Sequence, residues 1–143
     1  MRPALKLTLA LLALILLALV YFVNREFSTL DKAVAAKKIQ HEAEFARTIR
    51  NACLAYAMEY DRLPPDSDNK RLTAALTGDN ARHVVFLSLS KNQLNANGEM
   101  IDRWGTPLKI TFQGTSGIQV TSAGSDKVFG TADDIVSNSP DKQ

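Results

Sequence analysis

The sequence has few of the residues from which catalytic and metal centres are most often built. It contains one cysteine and two histidines in 143 residues. A single cysteine excludes a disulfide within the chain, and the apolar neighbours of Cys53 favour a buried thiol over a nucleophile. His41 falls on a polar helix face and His83 begins an apolar run, so we interpret both as structural. An enzyme that uses Asp133 and Asp134 with a metal is a third-ranked hypothesis, because no base, nucleophile or second metal set accompanies them in the sequence. We therefore expect a protein that is not an enzyme.

A basic stripe interleaved with aromatic residues is also missing. The chain carries 17 basic and 15 acidic residues, a formal charge of +2. All the acidic residues and 15 of the 17 basic ones follow residue 23, so the excess charge lies in Arg2 and Lys6. This distribution offers no extended surface for a polyanion, and we predict no nucleic-acid binding.

The first 23 residues contain no glycine and no acidic residue. Residues 4–23 are almost wholly aliphatic or aromatic, and only Lys6 and Thr8 interrupt them. Twenty helical residues at about 1.5 Å each extend roughly 30 Å, the thickness of a bilayer core. Residues 1–23 are therefore predicted to be an N-terminal transmembrane anchor.

A cleaved signal peptide is the alternative for this segment. The bulky residues at 19–23 do not offer the small side chains that a signal peptidase requires, so an uncleaved anchor is favoured. Arg2 and Lys6 before the apolar run favour a cytoplasmic N-terminus. The residues after the anchor would then lie on the opposite side of the membrane from the cytoplasm.

A second helical segment, 24–63, follows without a glycine or proline. Apolar residues recur in it at spacings of three and four, which is typical of an amphipathic helix. These residues are Phe45, Ile49, Cys53, Tyr56 and Tyr60. Pro64 and Pro65 are expected to end the helix. The sequence thus predicts one helix that continues from the anchor.

The remaining segment, 64–143, is long enough for one small core. Residues 69–76 are predicted to form a short helix, with Asp68 or Asn69 as N-cap and Gly78 as its stop. Residues 83–89 are predicted to form a strand, because they are apolar and rich in β-branched and aromatic residues.

Two alternating segments close to the C-terminus predict a hairpin. Apolar and polar residues alternate in 108–113 and again in 118–121, with glycines between them. We expect the apolar face of this hairpin to pack on the helical stripe. Residues 137–143 are expected to be a frayed tail.

Two motifs flank the hairpin. Residues 102–107 read Asp-Arg-Trp-Gly-Thr-Pro, a turn in which Trp104 is interpreted as a core anchor. The loop 122–136 places acidic residues among glycines, and oxygen ligands of this kind suit calcium. Asp126, Asp133 and Asp134 supply the carboxylates of such a site. The alternative, which composition alone favours, is that the loop is only a solvated turn.

These two motifs, in this order, resemble the C-terminal region of type II secretion pseudopilins, most closely the major, G-type subunit. The resemblance implies an α+β, pilin-like fold, with a long N-terminal helix packed on a small antiparallel sheet. It also implies a loop stabilised by calcium, in which Asp126 and Asp134 match the acidic ligands of the family most closely and Asp133 is shifted by one place. The further ligands are backbone carbonyls near Ser122 and Ser125, and the alternative for Ser122 is that it is only the end of a strand.

Three positions depart from the family pattern: Arg103 and Leu108 replace a proline and a tyrosine, and Lys127 replaces a glycine.

The N-terminus departs further from the resemblance. Type IV pilins and pseudopilins carry a leader that ends in glycine, followed by a glutamate near the start of the apolar helix, and this chain has neither. In the family, this glutamate is thought to neutralise the N-terminal amine of an adjacent subunit. This chain cannot form that ion pair by the same means.

The resemblance implies a structural subunit that associates with the membrane, with other pseudopilin-like subunits or secretion components, and in a homo-oligomer. It places the chain in a bacterial inner membrane with the C-terminal head, 64–143, in the periplasm. The second hypothesis is a membrane-tethered binding module that presents this head to a partner without polymerising.

Overall fold

A computed structural model describes residues 3–64, 68–114 and 117–137. Helix α1 spans Pro3–Tyr60, helix α2 spans Asn69–Leu76, and a 3₁₀ turn covers Lys91–Gln93. Strands β1 (Lys109–Gln113), β2 (Gly117–Ser122) and β3 (Ile135–Val136) form one antiparallel sheet in the order β1-β2-β3. A long N-terminal helix followed by a small antiparallel sheet is the α+β, pilin-like arrangement predicted from the sequence.

Helix α1 ends at Tyr60, before residue 63 where the sequence placed its end. Asp61 has φ of 54°, in the left-handed region that a continuing α-helix does not allow. The backbone therefore leaves the helical path at Asp61, ahead of the prolines that were expected to stop it.

The structure consists of two compact units, Met1–Lys37 and Lys38–Gln143. In the first unit the large apolar side chains of α1 are exposed, from Leu11 at 61% to Val34 at 52%. Among the described residues, one helix is long and apolar enough to cross a membrane, with a mean hydropathy of 1.7 over 18 residues. None of that window is buried within the chain.

The second unit has a core that α1, α2 and the sheet share. Helix α1 contributes residues at spacings of three and four, as its sequence predicts, and the hairpin contributes Ile110, Ile118 and Val120. The buried apolar residues that the described part of α1 contributes are Ala46, Ile49, Ala52, Cys53 and Tyr56. The apolar face of the hairpin thus packs in one cluster with the helical stripe.

Helix α2 has the predicted bounds and N-cap. Asp68 Oδ1 accepts a 2.9 Å hydrogen bond from the Arg71 backbone N–H and so caps the first turn. Asn69 is buried and fastens α2 to the chain ahead of the hairpin. Its Nδ2 donates to the carbonyls of Met100 and Leu108, both at 2.8 Å, and its Oδ1 accepts from the Met100 N–H.

The prediction of a strand over 83–89 is wrong. His83 has φ of 53°, and the backbone of this segment is irregular, with no strand partner among the described residues. The N–H groups of Phe86 and Leu87 both donate to the carbonyl of Leu76 at the end of α2. Because these donors bond to a helix end, the apolar side chains reach the core without a sheet.

The hairpin has the predicted strands, with Ile110 opposite Val120 and Phe112 opposite Ile118. Strand β3 was not predicted and pairs with the end of β2, Ser122 opposite Ile135. Ser137 is buried, donates its N–H to the Val120 carbonyl and accepts from the Val120 N–H through Oγ. It therefore belongs to the sheet edge and not to a frayed tail, and 138–143 lie outside the described residues.

Candidate functional site

Asp102 is a buried carboxylate that organises the Trp-Gly turn. It is 2% exposed, and its Oδ1 accepts hydrogen bonds from the backbone N–H groups of Trp104 (3.0 Å) and Thr106 (2.8 Å). The Gly105 N–H donates to the Asp102 carbonyl at 3.0 Å and closes the turn. A short acidic side chain that bonds its own following backbone stabilises a turn in this way. The motif 102–107 was recognisable in the sequence, but this role of the Asp102 carboxylate was not.

The same carboxylate joins this turn to the C-terminal loop. Oδ2 of Asp102 accepts a 2.8 Å hydrogen bond from the Ser122 hydroxyl, and both residues are buried. The Ser122 hydroxyl oxygen in turn accepts from the Gly124 N–H at 3.2 Å. Ser122 is the last residue of β2, as one of the two sequence interpretations had it, and it fixes the start of the loop.

Asp133 holds the two ends of the acidic loop together. Its Oδ2 accepts from the Ser125 hydroxyl (3.0 Å) and from the Asp126 N–H (3.1 Å), while its Oδ1 accepts from the Thr131 hydroxyl (2.6 Å). These donors, first the Thr131 hydroxyl and then the Asp126 N–H, lower the pKa of Asp133 well below its ordinary value. Asp133 is therefore the charged acceptor around which the loop closes.

Asp126 and Asp134 each accept one backbone hydrogen bond. Asp126 Oδ1 accepts from the Val128 N–H at 2.8 Å, and Asp134 Oδ2 accepts from the Gly130 N–H at 2.7 Å. The other oxygen of Asp134, Oδ1, is buried and has no hydrogen-bond partner. A carboxylate oxygen removed from water without a donor is energetically costly, and a cation would relieve that cost.

The structure thus brings the predicted ligands into one loop, but it does not gather them at one point. In the described part of the chain, no three acidic, histidine or cysteine side chains converge as a metal cluster. Asp133 is already bonded through both oxygens, and the Ser122 hydroxyl is bonded to Asp102. In the described part of this loop, the buried carboxylate oxygen left without a hydrogen-bond partner is Asp134 Oδ1.

Trp104 does not have the core position predicted for it. It is partly exposed and lies outside the buried cluster. The turn that it occupies is held by Asp102 and by Asn69, whose contacts at Met100 and Leu108 flank it. The hydrogen bonds of Asp102 and Asn69, and not burial of the Trp104 side chain, therefore stabilise this turn.

Comparison with known proteins gives one structural similarity. No protein-family model matches the chain, and no curated protein matches it. The structure is similar to the crystal structure of the major pseudopilin from the type 2 secretion system of enterohaemorrhagic Escherichia coli, at 19% sequence identity and a TM-score of 0.48. The similarity covers 73% of this chain and 86% of the other.

Proposed function

We propose that this chain is a structural, non-enzymatic, pseudopilin-like subunit of a type II secretion or related pilus-like system. The observation that carries the proposal is the division of α1 into two kinds of surface. Its apolar residues from Leu11 to Val34 are exposed, whereas Ile49, Cys53 and Tyr56 lie in the core of the second unit. A helix that supports a folded head at one end and exposes apolar residues at the other is suited to insertion and assembly.

The first part of the exposed surface is suited to a lipid bilayer. Leucines dominate it, and the side chains of Leu17, Tyr21 and Phe22 are 59–72% exposed. Burying such a side chain is worth about 1.5–3 kcal/mol, so the segment is unfavourable in water. We infer an inner-membrane anchor with the second unit on the periplasmic side, supported by the basic residues that precede the apolar run.

The next part of the helix is suited to contact with other subunits. Phe27, Leu30 and Val34 are 52–63% exposed and recur at spacings of three and four. They are interspersed with charged residues, which are unfavourable within a bilayer core. We infer that neighbouring pseudopilin-like subunits, including further copies of this chain, cover this stripe.

Calcium is the metal that we propose for the loop 122–136. Asp134 and Asp126 would be its acidic ligands, with backbone carbonyls near Ser122 and Ser125, and Asp133 would close the loop around them. The support is the unpartnered Oδ1 of Asp134 and the hard oxygen chemistry of the set. Bound calcium would neutralise the carboxylates and stabilise a loop whose residues 125–132 are exposed.

Site-specific photocrosslinking in intact membranes tests the assembly proposal. A photoreactive phenylalanine analogue at Phe27 is expected to give a ladder of self-adducts, because this side chain would face a neighbouring subunit. The matched control places the same analogue at Asp79, which is exposed in the second unit. A ladder from residue 27 and none from residue 79 supports assembly through α1. If the analogue at residue 27 gives no self-adducts in cells that contain the protein's own secretion system, assembly through α1 is contradicted.

The second candidate function is a membrane-tethered binding module that does not polymerise. The observation that favours it is that the second unit, Lys38–Gln143, has a hydrophobic core of its own, as a tethered binding module requires. In the same experiment this function gives one discrete adduct with a different protein instead of a ladder.

A further inference from the structure

Glu42 is a buried carboxyl group that the proposed function does not use. It lies on α1, within the second unit, and is 3% exposed. Its Oε2 accepts a 3.1 Å hydrogen bond from the backbone N–H of Arg103, in the Trp-Gly turn. Its Oε1 is buried and has no hydrogen-bond partner. Burying an ionised oxygen without a donor is costly, so this environment favours the neutral acid.

The groups around Glu42 reinforce this preference. Asp102 is the neighbouring acid, and it accepts three hydrogen bonds where Glu42 accepts one. Both carboxylate oxygens of Asp102 thus have donors, whereas Oε1 of Glu42 has none. Burial raises the pKa of Glu42 above its ordinary 4.5, and Asp102 raises it further. The Arg103 N–H bond and the charges of Arg103 and His41 act in the opposite direction.

An open pocket of about 360 Å³ lies beside this contact. His41, Glu42 and Phe45 line it from α1, and Asp102 and Arg103 line it from the Trp-Gly turn. The other polar lining residues, Ser90, Asn92 and Gln93, carry no charge. Opening of the turn next to the pocket would let water reach Oε1, so an ionised Glu42 gains solvation when the turn moves away.

We propose that Glu42 is a proton-controlled contact that holds the turn 102–105 against α1. Protonated Glu42 keeps its bond to the Arg103 N–H and buries no unpaired charge, so the turn stays closed. Ionised Glu42 favours an open turn, in which the carboxylate is hydrated. Because the closed state binds the proton more tightly, opening increases as the pH rises from the ordinary pKa of Glu42 to its raised value, and it levels off above that value.

Amide hydrogen exchange of the 143-residue chain in detergent micelles tests this contact at the donor itself. After correction for intrinsic exchange, the protection of the Arg103 amide should fall by up to about tenfold per pH unit within that interval. Glu42→Gln keeps an oxygen acceptor but cannot ionise, so its Arg103 protection should not depend on pH. Glu44→Gln, at an exposed position on the same helix, should behave as the wild type.

The Phe86 amide, bonded to the Leu76 carbonyl, is an internal control that should not follow the titration. An equal pH response of Phe86 and Arg103 would mean global unfolding and would overturn the proposal. So would a pH response that persists in Glu42→Gln. The wild-type titration of the Glu42 side-chain carboxyl carbon by NMR needs no variant, and a midpoint at or below the ordinary value also overturns the proposal.

Discussion

The Ser122 hydroxyl donates a 2.8 Å hydrogen bond to Oδ2 of Asp102, twenty residues earlier in the chain. This bond joins the Trp-Gly turn to the start of the acidic loop. The two motifs, which are separate in the sequence, are therefore connected by hydrogen bonds. Asp102 binds the turn and the end of β2, and Ser122 at the end of β2 binds the first residues of the loop.

Removing the Asp102 carboxylate should destabilise the second unit strongly. Asp102→Ala leaves the donors of Trp104, Thr106 and Ser122 without their acceptor, at a cost of at least about 3 kcal/mol. Ser122→Ala should cost less, about 1–2 kcal/mol, since it removes the bond to Asp102 and the longer 3.2 Å bond from the Gly124 N–H. Urea unfolding followed by the fluorescence of the single tryptophan, Trp104, measures both. Ser88→Ala, at an exposed site, is the control and should change stability little.

Calcium should raise the melting temperature through Asp134 and Asp126. Asp134→Asn and Asp126→Asn each keep an oxygen for the bonded backbone N–H but lose the charge, so the rise should shrink while melting in chelator changes little. Magnesium serves as the control ion, because it requires a stricter octahedral geometry. If the wild type has the same melting temperature in calcium, magnesium and chelator, the loop does not bind calcium and is only a turn.

Asp133 should stabilise the loop without any metal. Its pKa is lowered, so its contribution is present above the ordinary value of 3.8 and is lost as the pH falls through the lower folded value. Asp133→Asn should therefore melt at a lower temperature than the wild type in chelator at neutral pH, and this difference should shrink in acid. The exposed variant Asp79→Asn should show neither effect. A difference that stays constant with pH would contradict the role of the charge.

Gly124 should tolerate a side chain less well than Gly130. Both have positive φ, 68° and 91°, so alanine is strained at each position. At Gly124 a Cβ would also overlap the backbone oxygen and carboxylate of Asp133, whereas at Gly130 it meets nothing within 4 Å. We expect Gly124→Ala to cost more unfolding free energy than Gly130→Ala, by about 1 kcal/mol or more. Equal costs would show that the loop moves to admit the methyl group.

Cys53 should be chemically silent in the folded protein. It is fully buried, and burial raises its pKa to about 12, so almost no thiolate forms at pH 8. Alkylation by iodoacetamide should be negligible until urea unfolds the second unit. The control is Ser88→Cys in a Cys53→Ala background, whose exposed thiol should react quickly. Rapid labelling of Cys53 under native conditions would show that the α1 face of the core opens.

The fold was accessible from the sequence wherever local signals were strong. The alternation at Ile110, Phe112, Ile118 and Val120 predicted the hairpin, and Asp68 predicted the start of α2. The strand predicted for residues 83–89 was wrong. Their apolar residues have the composition of a strand, but the N–H groups of Phe86 and Leu87 bond to the end of α2. Strand β3 was missed because two residues carry no periodicity. Its existence depends on β2 being in place.

The sequence by itself determined the long helix, its change from an all-apolar to an amphipathic surface, and the acidic character of the C-terminal loop. These features follow from residue type and spacing along the chain. Only the tertiary structure decided that Asp102 holds Ser122, that Asp133 closes the loop, and that Glu42 is buried against the Arg103 backbone. The bonds of Asp102 and Glu42 join residues 20 and 61 positions apart, respectively, and no local pattern specifies which distant donor a carboxylate will meet.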